Sequence, residues 1–154
     1  MARVYATMIV DHQAVSNKIK RMRRTVRDFF RIYLQKASET VVLASPVDTG
    51  TYMTSHRIRV GRDYTTDFTT SYDRWTGKKK PKMPWDAAAN IGLSNLFNDI
   101  EALPEDADNV TITNIALHAD AVEYVHGYAP YGTMKRNAEV DAEAAEAEAK
   151  ARNL

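Results

Sequence analysis

The sequence has 154 residues, 44% of them apolar, and a net charge of +1 from 21 basic and 20 acidic side chains. This length fits a single domain, 1–154, with enough apolar residues to form a core. The absence of cysteine excludes disulfides, thiolate nucleophiles and Cys-based metal sites, and fits a reducing cytoplasm. No apolar run reaches the roughly 20 residues of a membrane-spanning helix, so no membrane partner is expected.

Residues 11–44 have the periodicity of one long helix. Eight apolar side chains recur along it every three or four residues: Val15, Ile19, Met22, Val26, Phe29, Tyr33, Ala37 and Val41. They form a narrow stripe on an otherwise charged helix, which predicts packing on a sheet or on other helices. Pro46 ends the helix, because proline cannot extend the hydrogen-bond ladder and disfavours helical geometry in the preceding residue. Residues 1–10 are expected to form a peripheral arm.

A turn at 46–50 leads from this helix into predicted strands. Asp48 can accept hydrogen bonds from backbone amides ahead of it, and Gly50 permits positive φ. Strands are predicted at 51–60 and 64–72, with a hairpin turn between them, because both segments are rich in aromatic and β-branched residues.

The second half of the chain alternates helical and extended patterns. A helix is predicted from Asp86 to about Leu103, a strand at 110–115, a short helical turn at 120–126 and a loop at 127–132. Residues 137–153 favour a helix but carry few large apolar side chains, so 137–154 is expected to be a peripheral arm ordered by a partner. The predicted class is α+β, with the long N-terminal helix packed on a mixed or antiparallel sheet of about four strands and with additional short helices.

Charge is unevenly distributed. Segment 18–36 has eight basic residues and one acid, whereas segment 139–148 has five acids and no base. These segments could attract each other within a subunit or between subunits. Six basic residues are candidates for contact with DNA or a partner: Arg21, Arg24, Lys78, Lys79, Lys80 and Lys82. The alternative is a solvated helix face and loop, and the near-neutral net charge argues against a dedicated DNA-binding domain.

Catalytic patterns are weak. Asp48-Thr49-Gly50 is the triplet of aspartic proteases, in which two such aspartates share a proton. No second copy occurs and a charged helix with Pro46 precedes it, so a structural turn is the favoured interpretation. The histidines lack helical metal-ligand spacing, although His118 and His126 flank two acids. The sequence therefore predicts a protein that is not an enzyme and has no catalytic residue, cofactor or metal.

Two segments carry a recognisable order of residues. In the first, the long helix runs into Pro46-Val47-Asp48-Thr49-Gly50 and an extended segment. In the second, the matching positions are Asn114, Ala119, Val122, Glu123, Tyr124, Ala129, Pro130, Gly132 and Met134. Together they resemble the tail-completion, tail-terminator and head–tail joining proteins of tailed phages. The sequence departs from that pattern at His118, where tyrosine is common, at the delayed Gly127 and at the inserted Thr133.

The resemblance implies a structural protein of the phage neck. It would form a homo-oligomeric ring, expected to be a hexamer, that caps the tail tube protein and joins it to the head connector or adaptor protein. DNA in the ring channel is a further candidate partner. The location implied is the virion neck or tail, after assembly in the host cytoplasm. A head-completion adaptor or connector ring and a DNA-binding accessory protein remain as alternatives.

The resemblance also implies two groups of site residues. The helix-to-strand turn comprises Pro46, Asp48, Thr49 and Gly50. The motif or interface residues are Asn114, Glu123, Tyr124, Pro130, Gly132 and Met134. Glu123 is expected to bond backbone or arginine groups and so to fix the short helix that carries it.

Overall fold

The computed structural model describes residues 12–61, 68–73, 75–107 and 109–154. Within these residues the elements, in chain order, are α1 (His12–Leu43), α2 (Thr51–Thr54), β1 (His56–Val60), α3 (Trp85–Glu101), β2 (Val110–Asn114), a π-helical turn (Ala121–Val125) and α4 (Pro130–Arg152). The α+β class is confirmed, and α1 matches the predicted long helix. The predicted first residue of the helix, Asp11, and the arm 1–10 lie outside the described residues.

The sheet in the described residues has two antiparallel strands rather than about four. β1 pairs with β2 from His56 opposite Asn114 to Val60 opposite Val110. The predicted strand at 51–60 is half wrong, because 51–54 form the helical turn α2. There the Thr54 hydroxyl donates to the Gly50 carbonyl at 2.7 Å, so local side-chain bonds replace a strand ladder. Of the predicted strand 64–72, residues 64–67 lie outside the described part and Thr69 and Tyr72 make isolated bridges.

The main core lies between α1, α3 and β1. Its most buried large side chains are Leu34, Val42, Met53, Ile58, Leu96 and Ile100. Arg57 of β1 donates two hydrogen bonds of 2.8 Å to the carboxylate of Asp99 on α3. The backbone amide of Ile58 donates to the same carboxylate at 3.0 Å. Burial and this fork-like ion pair together fix α3 against the strand that follows the turn.

Helix α4 begins at Pro130, seven residues before the predicted start. Proline suits this first helical position, because its missing amide hydrogen would have no partner there. α4 packs on α1 in the same chain, with Ala145 and Ala149 fully buried against Ile32. Residues 137–154 were expected to form a peripheral arm ordered by a partner, and the element that packs on them here is α1 of the same chain. Alanines allow the two helix backbones to approach closely. A prediction that counts only large apolar side chains does not detect this kind of packing.

The two helices run antiparallel. Asn153, beyond the end of α4, donates a 2.8 Å hydrogen bond to Asp28 of α1, and Glu148 lies 4.0 Å from Lys36. The first turns of α1 therefore extend past the end of α4. We call residues 12–26 the α1 arm.

The apolar stripe of α1 is buried in only half of its length. Ala37 and Val41 are fully buried. On the α1 arm, by contrast, Val15 is 47% exposed, Ile19 44%, Met22 58% and Val26 67%. The sequence pattern thus predicts the apolar face correctly, but the rest of the described chain does not cover its first half.

Gly92 lies where α3 approaches α2 closely. A Cβ atom at this position would overlap the backbone carbonyl of Met53 in α2. We expect Gly92→Ala to lower the free energy of unfolding by about 1–3 kcal/mol through overpacking, although alanine is the better helix former. Urea unfolding measures this, with Ser94→Ala at an exposed position of α3 as the control. A Gly92→Ala protein as stable as the wild type would contradict the close approach.

Candidate functional site

The two segments that carry the phage-neck resemblance meet in space. Pairing of β1 with β2 places His56, just after the first segment, opposite Asn114 in the second. The Asn114 side-chain amide donates to the Tyr52 carbonyl of α2 at 2.8 Å, and its oxygen accepts the Ala116 amide at 2.8 Å. Asn114 therefore ties the α2 turn to the chain that leaves β2.

A buried polar cluster surrounds His56, which is fully buried. Its Nε2 lies 2.8 Å from Ser45 Oγ, and its Nδ1 lies 2.8 Å from the Tyr131 hydroxyl. The Ser45 hydroxyl donates to the Val41 carbonyl at 2.6 Å. Because that proton is engaged, Nε2 must donate to Ser45, and Nδ1 accepts from Tyr131 and from Asn114 at 3.1 Å. Burial lowers the pKa of His56 to about 3, consistent with a neutral ring.

The Ser45–His56 pair superficially resembles a nucleophile and its general base. The geometry opposes that reading, since the serine proton points to the Val41 carbonyl and Nε2 is the donor. Both side chains are also buried. The cluster fastens the end of α1, the start of β1 and the start of α4 to one another.

Glu123 holds the N-terminus of α4. Its two carboxylate oxygens accept the backbone amides of Tyr131 at 3.1 Å and Gly132 at 2.8 Å. These amides lie in the first turn of α4 and have no partner within the helix. A carboxylate here also interacts favourably with the positive end of the helix dipole. The expected backbone bonds of Glu123 are present, and they fix α4 rather than the short helix.

The side-chain hydrogen bonds of the turn at 46–50 differ from the predicted ones. Thr49, not Asp48, accepts from a backbone amide ahead, that of Thr51 at 3.4 Å. The Asp48 carboxylate forms an ion pair with Lys79, which lowers the pKa of Asp48. Its carbonyl accepts the Met83 amide at 2.7 Å. Gly50 has a φ of 81°, the left-handed conformation that favours glycine.

The six candidate DNA-contact residues divide between two surfaces. Arg21 and Arg24 are exposed on the α1 arm. The other four residues lie in the loop 78–82, beside the turn at 46–50. In this loop the Lys80 amide donates to the Ser71 carbonyl at 2.7 Å. Lys78, Lys80 and Lys82 are exposed there, whereas Lys79 is engaged with Asp48.

Most of the predicted motif residues are half-buried. Pro130 is buried, and Met134 borders a cavity with Tyr33 and Ile112. Tyr124, in contrast, is 80% exposed. It belongs to an apolar patch around the π-helical turn, which we call the Tyr124 patch: Leu117, Tyr124, Val125 and Tyr128. The motif thus contains residues that hold the fold together, namely Asn114, Glu123 and Pro130, and one exposed residue, Tyr124.

Sequence reasoning missed Ser45, His56 and Tyr131. They lie far apart in the chain, and no local spacing signals that they meet. In the described ranges, no group of three or more His, Cys, Asp or Glu side chains is arranged to hold a metal ion. A search of the same ranges found no helix with the length and hydropathy needed to cross a membrane.

Burial of neutral His56 makes stability depend on pH. The pKa is about 3 in the folded chain and 6.5 in the reference state, so the unfolded chain binds more protons between these values. The free energy of unfolding therefore falls as pH is lowered through this window. Between pH 7 and pH 5 we expect the wild type to lose about 2 kcal/mol more than His56→Gln, as measured by urea unfolding. Equal losses in the two proteins would contradict a neutral buried histidine.

Removal of the Glu123 carboxylate should loosen α4. We expect Glu123→Ala to cost about 1–3 kcal/mol of unfolding free energy, because two amides lose their acceptors. Glu123→Gln should cost less, since its oxygen still accepts one bond but carries no charge. Glu143→Ala, on the exposed side of α4, is the matched control and should change stability by less than about 0.5 kcal/mol. Equal effects of Glu123→Ala and Glu143→Ala would rule out the cap.

Comparison of this chain with protein-family models, with curated proteins and with solved structures gave no match. Its function is therefore inferred from its own residues and contacts.

Proposed function

We propose that this chain is a structural subunit of a tailed-phage neck, a tail-terminator or tail-completion protein. It assembles into a ring, a hexamer in the simplest case, that caps the tail tube and joins it to the head connector. The observation that carries this proposal is the meeting of the two motif segments. Residues 46–50 and 114–134 form one unit through the β1–β2 pairing and the hydrogen bonds of Asn114 and Glu123.

Exposed apolar surface supports an assembling role. The α1 arm and the Tyr124 patch both expose large apolar side chains. Contiguous exposed apolar surface in a folded chain marks interaction sites. A subunit with distinct apolar surfaces suits a contact in which one face of a copy meets a different face of the next. Such heterologous contacts close into rings when the rotation permits.

The polar chemistry of the described residues suits a scaffold. The side chains of Asn114 and Glu123 form hydrogen bonds to backbone groups of the same chain. Within the core, Ser45 bonds the Val41 carbonyl and the ring of His56. In this proposal the protein has no enzymatic activity and no cofactor, and its place is the virion neck or tail after assembly in the host cytoplasm.

A head-completion adaptor or another connector ring is the related alternative, with a different ring size. A DNA-binding accessory protein is the second alternative, and the basic α1 arm with its exposed Arg21 and Arg24 favours it specifically. DNA affinity in that case would fall steeply with salt concentration and with neutralisation of those arginines. In the neck proposal, DNA contact is confined to the channel of the assembled ring.

The neck proposal predicts ring oligomers of purified protein. We expect a mass about six times the subunit mass of 17.4 kDa by light scattering, and closed rings with rotational symmetry in electron-microscopy class averages. The rings should bind the end of purified tail tubes. Rings of another subunit number that bind connectors but not tubes would favour the head-completion alternative. A monomer at high concentration that binds neither tubes nor connectors would sink the proposal.

A further inference from the structure

The α1 arm presents an apolar stripe with no cover from the described residues. Val15, Ile19, Met22 and Val26 follow one another at intervals of four, three and four residues, and all are exposed. This spacing is that of a helix seam which packs lengthwise on a second helix. The arm extends past the end of α4, so no helix among the described residues of its own subunit completes the seam.

The outer face of α4 carries a stripe of the same spacing. Its exposed members are Val140, Ala144, Ala147 and Ala151, again at intervals of four, three and four residues. This face is opposite to the one on which Ala145 and Ala149 pack against α1. Small alanines leave a shallow groove along α4, into which larger side chains of another helix can insert.

Charge selects this pairing over the alternatives. The α1 arm has five basic residues and no acid: Lys18, Lys20, Arg21, Arg23 and Arg24. On α4 two exposed acids, Glu139 and Glu143, directly precede Val140 and Ala144 of the outer stripe, whereas Glu148 lies toward Lys36 of its own chain and Glu146 is paired with Lys150. Two arms packed together would place like charges side by side, whereas an arm on α4 places opposite charges together.

The contact must be between copies. Since the outer face of α4 points away from α1 of the same chain, the arm of that chain cannot cover it. We propose that the α1 arm of one copy packs along the outer face of α4 in the next copy. This is a head-to-tail contact that each subunit makes twice, once with its arm and once with its α4. The inference rests on the proposed ring and names the interface that builds it.

A groove beside the arm extends the contact surface. It has a volume of about 800 Å³ and is bordered by Met22, Val26, Phe30 and Leu103. At the inner end of this groove Arg27 is already paired with Glu105 at 2.9 Å. The positive charge available to a neighbour is therefore concentrated toward Lys18 and Arg23. In the proposed contact, Glu139 and Glu143 of the neighbour therefore pair with Lys18 and Arg23.

Complementary charge reversal tests this arrangement. The arm-reversed protein carries Lys18→Glu and Arg23→Glu, and the face-reversed protein carries Glu139→Lys and Glu143→Lys. Each alone would bring like charges together in every contact, and we expect assembly to need at least about tenfold more protein. In an equimolar mixture each reversed surface meets its complement, so alternating rings should form near the wild-type concentration. Light scattering and electron microscopy measure both results.

Arg24→Glu is the matched control for Arg23→Glu, the single change toward the seam. Arg24 is two residues from both Met22 and Val26, on the far side of the arm, so the same charge change there should leave assembly unchanged. Rescue by mixing also shows that the reversed proteins are folded.

Four outcomes would overturn the inference. If wild-type rings form and the reversed proteins assemble equally well alone, or if mixing gives no rescue, the interface lies elsewhere and the neck proposal stands. If Arg24→Glu disrupts assembly as strongly as Arg23→Glu, the effect is not that of a defined helix face. If the wild type itself is monomeric, the proposed function fails together with the interface.

Discussion

The neutral imidazole of His56 connects three elements that are distant in the chain. Ser45 lies at the end of α1, Asn114 ends β2, and Tyr131 begins α4, and all three bond this one ring. Each bond has a defined direction, because the serine proton is committed to a carbonyl of α1. A largely buried polar cluster of this kind stabilises the fold only when every member is satisfied. It therefore sets the angle at which α4 starts, and with it the surface that α4 shares with α1.

The Glu123 cap acts on the same helix from the other side of its first turn. Its carboxylate takes the amides of Tyr131 and Gly132, while the Tyr131 side chain bonds His56. The backbone and the side chain of a single residue are thus fixed by different partners. Such a double attachment at one end gives a helix of 23 residues a definite direction. A rigid direction is what a helix needs if its outer face is to meet another copy in register.

The long helix and the apolar stripe of α1 were predictable because periodicity is a local property of the sequence. The turn at 46–50 was predictable for a similar reason, since Pro46 and Gly50 restrict the backbone wherever they stand. The number of strands was not predictable, because Thr51 to Thr54 can satisfy their hydroxyls within a helical turn or stand in a strand. The burial of α4 was missed as well, since alanine contributes to packing by its small size rather than by apolar area.

The candidate site was likewise predictable from the sequence only in part. Asn114 and Glu123 could be named from their order in the chain, but their partners are backbone groups that carry no side-chain signature. His56 could not be identified, because the residues that surround it come from four separate segments. Its environment is a product of the tertiary fold, and the strand pattern around it is equally compatible with an exposed histidine.

In the proposed ring, the α1 arm is the part of the fold that makes contact with the next copy. A helix whose apolar stripe is half buried is anchored by the buried half, and its free half is held straight by the same backbone hydrogen bonds. The arm thus keeps its shape without losing its exposed apolar side chains to the subunit's own core. Its positive charge discourages the arms of two copies from pairing with each other, which would end growth at a dimer. Glu139 and Glu143, beside the outer stripe of α4, offer the opposite charge at a separate place on the subunit. That separation allows every copy to be donor and acceptor at once, the requirement for a closed ring.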